Sequence, residues 1–422
     1  MADEPKPTEE QAQAIGELHD FLASGNSDEH TLEGPAGTGK TFVMKDFVSG
    51  LKGKILFTAT TNKATKVLRN ALTSEDYKPE CRTIFSALGL RLEANGEVKA
   101  LAEPEDPVDL SQYSCIVVDE ASMEGKALRI PIKAEARGGL PFIHMGDPAQ
   151  LFPVKEGLSE VWRLESKSKL STVMRHGGEI LGFCNKVRAM VDHPAPCIRL
   201  QAANDGETGV WRDSAAQANA SIIQAAEEGQ FSDASRVKVI AWRNATVDRF
   251  NLLIRQHIFG PAASAQWLVG DRLILTSPAK DLESGRPIAH TDDEGVVERA
   301  EEAPHPLYPE YLCWRLVVAL DENKTITLWA AHESSAVALE RRVGELAEVA
   351  RTLRQWKGFW DFKEAFHSCR HAYALTAHRA QGSTYQRVFV DASDILVNRS
   401  RNEAFRCLYV AASRAKHQLH LI

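Results

Sequence analysis

Residues 34–41 read Gly34-Pro35-Ala36-Gly37-Thr38-Gly39-Lys40-Thr41, a glycine-rich loop closed by lysine and threonine. Glycines at this spacing let successive backbone N–H groups curl around phosphate oxygens. The lysine neutralises charge at the β- and γ-positions, and the threonine hydroxyl can ligate magnesium. Asp119 and Glu120 follow the apolar run Cys115-Ile-Val-Val118. An acid carried at the end of a strand can hold that magnesium, while its neighbour polarises a water. A second carboxylate beside the first favours attack by water over transfer to a bound acceptor. Together the residues predict triphosphate hydrolysis.

The elements that must carry these residues are legible too. Thr31 and Leu32 give the loop an apolar approach, and 42–51 predict the helix that follows it. Over the first 155 residues helix-like and strand-like segments alternate. Residues 9–23 hold Ala12, Ile15, Leu18 and Leu22 at helical spacing, while Lys54-Ile-Leu-Phe-Thr58, Cys115-Ile-Val-Val118 and Pro141-Phe-Ile-His-Met145 read as buried strands. That alternation predicts a parallel α/β sheet. Asn95-Gly96 marks a hairpin between two polar strands. From 268 to 331 the pattern changes to short strands separated by polar turns, the signature of a small β-barrel. Residues 333–357 predict one charged helix, and 373–422 return to α/β.

Composition sets the outer limits. The 422 residues predict about three domains; 44% hydrophobic and 25% charged residues make the chain globular. Fifty Lys+Arg against 57 Asp+Glu leave a net charge of −7. A generally basic nucleic-acid coat is therefore excluded, and any contact with nucleic acid needs a local track of polar and basic groups. The apolar runs fall short of the roughly 18 residues of a membrane span, and Met1-Ala-Asp-Glu-Pro-Lys-Pro7 is too polar for a signal peptide. Seven scattered cysteines without a Cys-x-x-Cys pair lack zinc, iron–sulfur or disulfide spacing and fit a reducing cytosol.

Seven motifs in order resemble those of superfamily 1 helicases. Thr8-Glu-Glu-Gln11 is similar to the adenine-reading glutamine motif, Ala59-Thr60-Thr61-Asn62-Lys63-Ala64 to motif Ia and Asp119-Glu-Ala-Ser-Met123 to motif II. Gly146-Asp-Pro-Ala-Gln150-Leu-Phe-Pro-Val154 resembles motif III, Leu170-Ser-Thr-Val-Met-Arg175 motif IV, Leu375-Thr-Ala-His378-Arg-Ala-Gln381-Gly382-Ser-Thr384 motif V and Tyr409-Val-Ala-Ala-Ser-Arg414-Ala-Lys416 motif VI. Within the superfamily the resemblance is to the RecD-like and phage Dda group, whose members move 5′→3′ on single-stranded DNA. Two positions depart from the family pattern. Phe85 stands where Thr-Ile-His is common, and Phe152 where the family reads Leu-Pro-Pro-Val.

The resemblance implies two RecA-like parallel-sheet domains, with a β-hairpin inserted in the first and a small SH3-like β-barrel in the second. The first would span 1–158 with its hairpin at about 84–110, the second 159–266 and 371–422, and the insertion 267–370. ATP and Mg2+ are the implied cofactors, bound between the two halves. Lys40, Thr41, Asp119, Glu120 and Gln150 would act from the first half, Arg175 and Arg414 from the second. Gln11, residues 34–41, Gln381 and Gly382 would complete the nucleotide site. Thr60, Thr61, Asn62, Lys63, Phe85, His378 and Thr384 are the implied DNA contacts. For the threonines and Asn62 helix capping is the competing assignment, and for His378 a buried structural histidine. The hairpin, with no aromatic residue at Ala94-Asn95-Gly96-Glu97, is either a strand-separating wedge or a surface turn. Lys357, Lys363, Arg370 and His371 could form a basic rim, with Trp356, Phe359 and Trp360 either stacking on bases or packing in a core.

The expected partners are single-stranded DNA and single-strand/double-strand junctions, with no membrane. A monomer is expected, in the cytosol of a bacterial or phage-infected cell, open to replication or repair proteins. Two other classes stay open on residues alone: a phosphate-loop small-molecule kinase, and a nucleotide-binding interaction module without motor activity. Gln150 and Ser413-Arg414 have no use in the first, and intact Lys40, Asp119, Glu120 and Arg414 argue against the second.

Overall fold

A computed structural model describes the protein at residues 6–25, 28–51, 53–75, 77–92, 98–100, 108–153, 156–173, 178–321 and 324–422; at 91–92 and 98–100 this is the backbone alone. The chain forms two compact units. One comprises 1–198 and 399–413, the other 199–398 and 414–422.

The first unit is built on a six-stranded sheet. Its strands are β1 (Glu29–Glu33), β2 (Ile55–Ala59) and β3 (Glu80–Thr83). The chain then forms a two-stranded antiparallel ribbon, β4 (Leu90–Leu92) with β5 (Val98–Ala100), whose turn lies outside the described residues. It returns through β6 (Cys115–Asp119), β7 (Phe142–Gly146) and β8 (Lys167–Lys169). The sheet order is β3-β2-β6-β7-β1-β8 and every pairing is parallel. Parallel strands are covered on both faces, so they read as unbroken apolar runs. Side chains alternate faces along each strand: Val117 packs with Leu32, Phe47, Phe57 and Ile143, and Val118 with Leu56, Ile116, Ile132 and Phe142.

Helices α1 (Glu9–Ser24), α2 (Lys40–Ser49) and α3 (Asn62–Leu72) lie over this framework, followed by the short α4 (Ile84–Ala87), then α5 (Lys126–Arg137) and α6 (Glu179–Met190). The Arg401–Ala412 helix belongs to the same unit, packed against α6. The unit thus runs past the boundary expected at 158, because 167–169 pair with β1 in the register Thr31↔Lys167 to Glu33↔Lys169.

The second unit has its own sheet. Val237–Ala241 lies between Ala374–Thr376 and Tyr385–Val390, followed by Ala415–Leu421 and Gly209–Arg212, all parallel, with Ala203–Asn204 antiparallel at the edge. A five-stranded antiparallel sheet follows the order Lys324–Ala331, Leu312–Leu320, Glu294–Pro304, Arg272–Leu275, Cys369–His371. Trp267, Leu273, Leu316, Val318 and Leu328 form its core. The charged stretch expected as one helix over 333–357 is divided: Ala336–Leu353 ends where Arg354 turns left-handed (φ 54°), and Lys357–Ala365 is a separate helix.

Candidate nucleotide site

In the first sheet the registers Ala59↔Asp119, Val118↔His144 and Glu33↔Gly146 bring the carboxyl ends of β2, β6, β7 and β1 to one edge. Parallel α/β sheets use that edge for ligands, and Gly34, Thr60, Glu120 and Asp147 each follow one of its strands.

The 34–41 loop leaves β1 and enters α2. Gly37 and Gly39 have φ of 86° and 85°, a left-handed backbone that suits glycine. Gly39 is doubly constrained, because a Cβ there would lie 2.5 Å from Gln11 Nε2. Gln11, 5% exposed, donates from that nitrogen to the Thr38 carbonyl (3.1 Å), and its Oε1 accepts from the Thr8 N–H in a capping box. The side chain from the adenine-type motif therefore braces the loop as well as capping α1. Lys40 Nζ donates to the carbonyls of Gly34 (2.6 Å) and Pro35 (3.0 Å). Burial lowers its pKa, and Asp147, Asp119 and Glu120 pull the other way. The lysine thus lies within the field of all three acids.

Asp119 Oδ1 accepts from the Glu120 N–H at 2.8 Å. Burial, then the Glu120 charge beside it, pushes the Asp119 carboxyl up to about 7. Glu120 holds φ 54°, one of three non-glycine residues at positive φ among the described residues. Such backbone is costly for a residue with a Cβ and gathers at functional sites. Behind it, Glu124, Glu29, Arg129 and His144 form a buried quartet. His144 bonds Glu124 (2.7 Å) and Glu29 (2.9 Å), and Arg129 bonds Glu29 (2.6 Å) and Glu124 (3.2 Å). It joins the segment after Glu120 to β1 and β7.

Asp147, fully buried, is the hub of the 146–150 turn. It accepts from the Ala149 N–H (3.0 Å), Arg188 (3.0 Å) and the Tyr409 hydroxyl (2.6 Å). Gln150 closes the turn, 5% exposed. Sequence reasoning gave Asp147 no role, and Arg188 carried no signal at all.

Thr61 caps α3, accepting the Ala64 N–H at 3.1 Å, with Asn62 and Lys63 as its first residues. The buried Thr60 Oγ1 has no hydrogen-bond partner. Phe85 packs against the cluster of Leu56, Ile84 and Ile116. Arg175 lies outside the described residues.

In the second unit Arg414, 6% exposed, donates to the Ser383 carbonyl (3.1 Å). It is thereby joined to the segment of Gln381, Gly382 (φ 77°) and exposed Thr384. His378 lies in the short helix Ala377–Ala380 just ahead. Arg370 is spent on Asp248 (2.9 Å) and Asn244 (2.9 Å), and His371 bonds the Gln266 carbonyl (3.0 Å). Phe359 is buried. Lys363 lies over the Phe359 and Trp360 rings, while Trp356 is 40% exposed. Among the described residues no helix is long and apolar enough to cross a membrane.

Comparison with known proteins agrees with this geometry. A family model for the AAA domain matches residues 6–182, and one for the UvrD-like helicase C-terminal domain matches 371–422. The ATP-dependent DNA helicase Dda of Enterobacteria phage T4 is 25% identical, over 93% of this chain and 94% of its own. An uncharacterized protein of Acanthamoeba polyphaga mimivirus is 22% identical over 95% and 97%. In fold, the Pif1 helicase from Bacteroides in complex with ADP-AlF3 and ssDNA matches with a TM-score of 0.52 at 15% identity, covering 99% of this chain and 92% of that one. The Pif1 helicase from Candida albicans matches with 0.52 at 16%, over 99% and 94%. With the phosphate loop, the Asp119–Glu120 pair and the 146–150 turn at one sheet edge, the chain joins an AAA domain to a UvrD-like helicase C-terminal domain and is similar over nearly its whole length to an ATP-dependent DNA helicase.

Proposed function

We propose that the chain is a motor that hydrolyses ATP to move 5′→3′ along single-stranded DNA and to part strands at single-strand/double-strand junctions. The observation that carries this reading is the meeting of Lys40, Asp119 and Glu120 beside the 34–41 loop. A carboxyl pushed up to about 7 by burial and a neighbouring acid is the donor set that a divalent cation relieves. Thr41 and Asp119 would hold magnesium, which supplies charge neutralisation at the phosphates. Lys40 binds the β/γ-phosphates, Glu120 orients and polarises the attacking water, and Gln150 bonds the γ-phosphate. Arg175 and Arg414 match the charge that spreads over the γ-oxygens. Gln11 reads adenine, and Gln381 and Gly382 complete the nucleotide contacts.

The DNA track uses Thr60, Thr61, Asn62, Lys63 and Phe85 in the first unit, and His378 and Thr384 in the second. Such groups bond phosphates without reading sequence. The 90–100 ribbon acts as a steric wedge, and the five-stranded antiparallel sheet is the SH3-like barrel inserted in the second of two RecA-like domains. The motor works as a cytosolic monomer beside replication or repair proteins. Support for DNA as the track comes from the relatives: Dda is described as a DNA helicase, and Pif1 has been seen with single-stranded DNA.

Partial duplexes with either a 5′ or a 3′ tail test the proposal. Only the 5′-tailed substrate should open, with ATP turnover strongly stimulated by oligo-dT. Opening of the 3′-tailed substrate alone would overturn the direction, and turnover indifferent to oligo-dT would overturn the motor.

A further inference from the structure

Three residues apart on the Arg401–Ala412 helix, Arg406 and Tyr409 take hold of the turn that carries Gln150. Arg406, 2% exposed, donates to the carbonyls of Pro148 and Gln150 (2.9 Å to the latter), to Asp192 (3.0 Å) and to Asn402 Oδ1 (2.7 Å). The Tyr409 hydroxyl donates to Asp147 Oδ2 at 2.6 Å and accepts from the Ala36 N–H at 3.4 Å. Asp147 in turn fixes the Ala149 N–H at 3.0 Å and Arg188 at 3.0 Å. One phenol oxygen therefore bridges the 146–150 turn and the phosphate-loop backbone.

We propose that Tyr409 is a positioning residue for ATP hydrolysis: through Asp147 it sets the turn bearing Gln150, and through Ala36 it registers whether the phosphate loop is engaged. The inference rests on the helicase reading above. An amide 3.4 Å from a neutral hydroxyl makes a long, weak bond. A phosphate oxygen competes for that amide with a shorter, charge-assisted one. Engagement of Ala36 leaves the hydroxyl to its partners at the turn, Asp147 and the Arg188 beside it. Burial and the Asp147 charge raise the phenol pKa, so the group remains a donor throughout. Arg414 follows the helix cap Ser413 directly in the chain, so the helix that reads the loop leads straight into the arginine proposed for the γ-phosphate.

Tyr409→Phe keeps the ring and removes the hydroxyl's bonds to Asp147 and Ala36. Oligo-dT-stimulated kcat should fall about tenfold or more. The Kd for a non-hydrolysable ATP analogue should stay within about twofold, since the hydroxyl is not a phosphate ligand. Because Tyr409 acts through Asp147, the Asp147→Asn/Tyr409→Phe double variant should be no slower than Asp147→Asn alone. A Tyr409→Phe enzyme with wild-type kcat, or fully additive losses in the double variant, would overturn the proposal while leaving the helicase reading intact. Absence of oligo-dT-stimulated turnover in the wild-type chain would overturn that reading, and this proposal with it.

Discussion

The Phe152 ring lies 3.9 Å from the Arg406 guanidinium carbon, measured to its centroid. This is the position where the family pattern carries proline. The ring covers a cation that is otherwise engaged by Pro148, Gln150, Asp192 and Asn402. The departure from the family therefore falls on packing of the 146–150 turn and leaves the phosphate ligands untouched.

Replacing Phe152 by leucine keeps an apolar cover and removes the cation–π contact. The cost should be about 0.5–2 kcal/mol, lowering the thermal midpoint of the first unit by roughly 1–8 °C. Calorimetry checks this. An unchanged midpoint would show that the stack contributes nothing to the turn.

Lys40→Ala should abolish ATP turnover while leaving DNA affinity close to wild type. The ammonium bonds the Gly34 and Pro35 carbonyls of the loop and lies amid three acids, so its charge serves the phosphate side of the protein. Paired turnover and oligo-dT binding measurements test it, and residual turnover within tenfold of wild type would remove Lys40 from the chemistry.

The contrast between what was legible and what was not follows from locality. The 34–41 loop is spelled within eight residues, because the glycine φ values and the lysine reach are local demands. Asp119 is legible because it ends the apolar run Cys115-Ile-Val-Val118. Tyr409 and Asp147 lie 262 positions apart, and only folding reveals that the phenol donates to the carboxylate. The strand Lys167–Lys169 reads Lys-Ser-Lys, with no apolar run for periodicity to register. Arg354 ends a helix in left-handed backbone, where sequence normally signals such a cap with glycine. The threonine after β2 was ambiguous for a physical reason: capping and phosphate binding use the same hydroxyl. The structure spends Thr61 on the cap and leaves the Thr60 hydroxyl without a partner.

The buried quartet predicts a pH dependence of stability. Burial pulls the His144 pKa down, but Glu124 and Glu29 more than offset it, so the net shift is upward. A histidine raised in the fold contributes stability that is full below its unfolded value of about 6.5 and is lost as pH rises through the folded value. Glu29 is also opposed by burial, yet His144 and Arg129 hold it down at about 2, so its contribution is lost only as pH falls from the usual carboxylate range toward 2. The quartet's contribution to stability should therefore be greatest between about pH 4.5 and 6.5 and decline on the alkaline side. His144→Gln should flatten that decline. An alkaline limb as steep in the variant as in the wild type would exclude His144 as its source.

Gly39→Ala should be far more damaging than an added methyl suggests. The new Cβ would lie 2.5 Å from Gln11 Nε2, and the residue would have to hold φ 85°. The left-handed backbone alone costs about 1 kcal/mol or more for a residue with a Cβ. Relief of the clash requires Gln11 to release the Thr38 carbonyl and loosen the loop it braces. ATP affinity should fall by about tenfold or more, as loss of one to two kcal/mol of preorganisation implies. Gln11→Ala makes room for the methyl, so the double variant should bind ATP no more weakly than Gly39→Ala alone. Fluorescent-nucleotide titration of the three variants decides it, and strictly additive losses would show that Gln11 and Gly39 act independently.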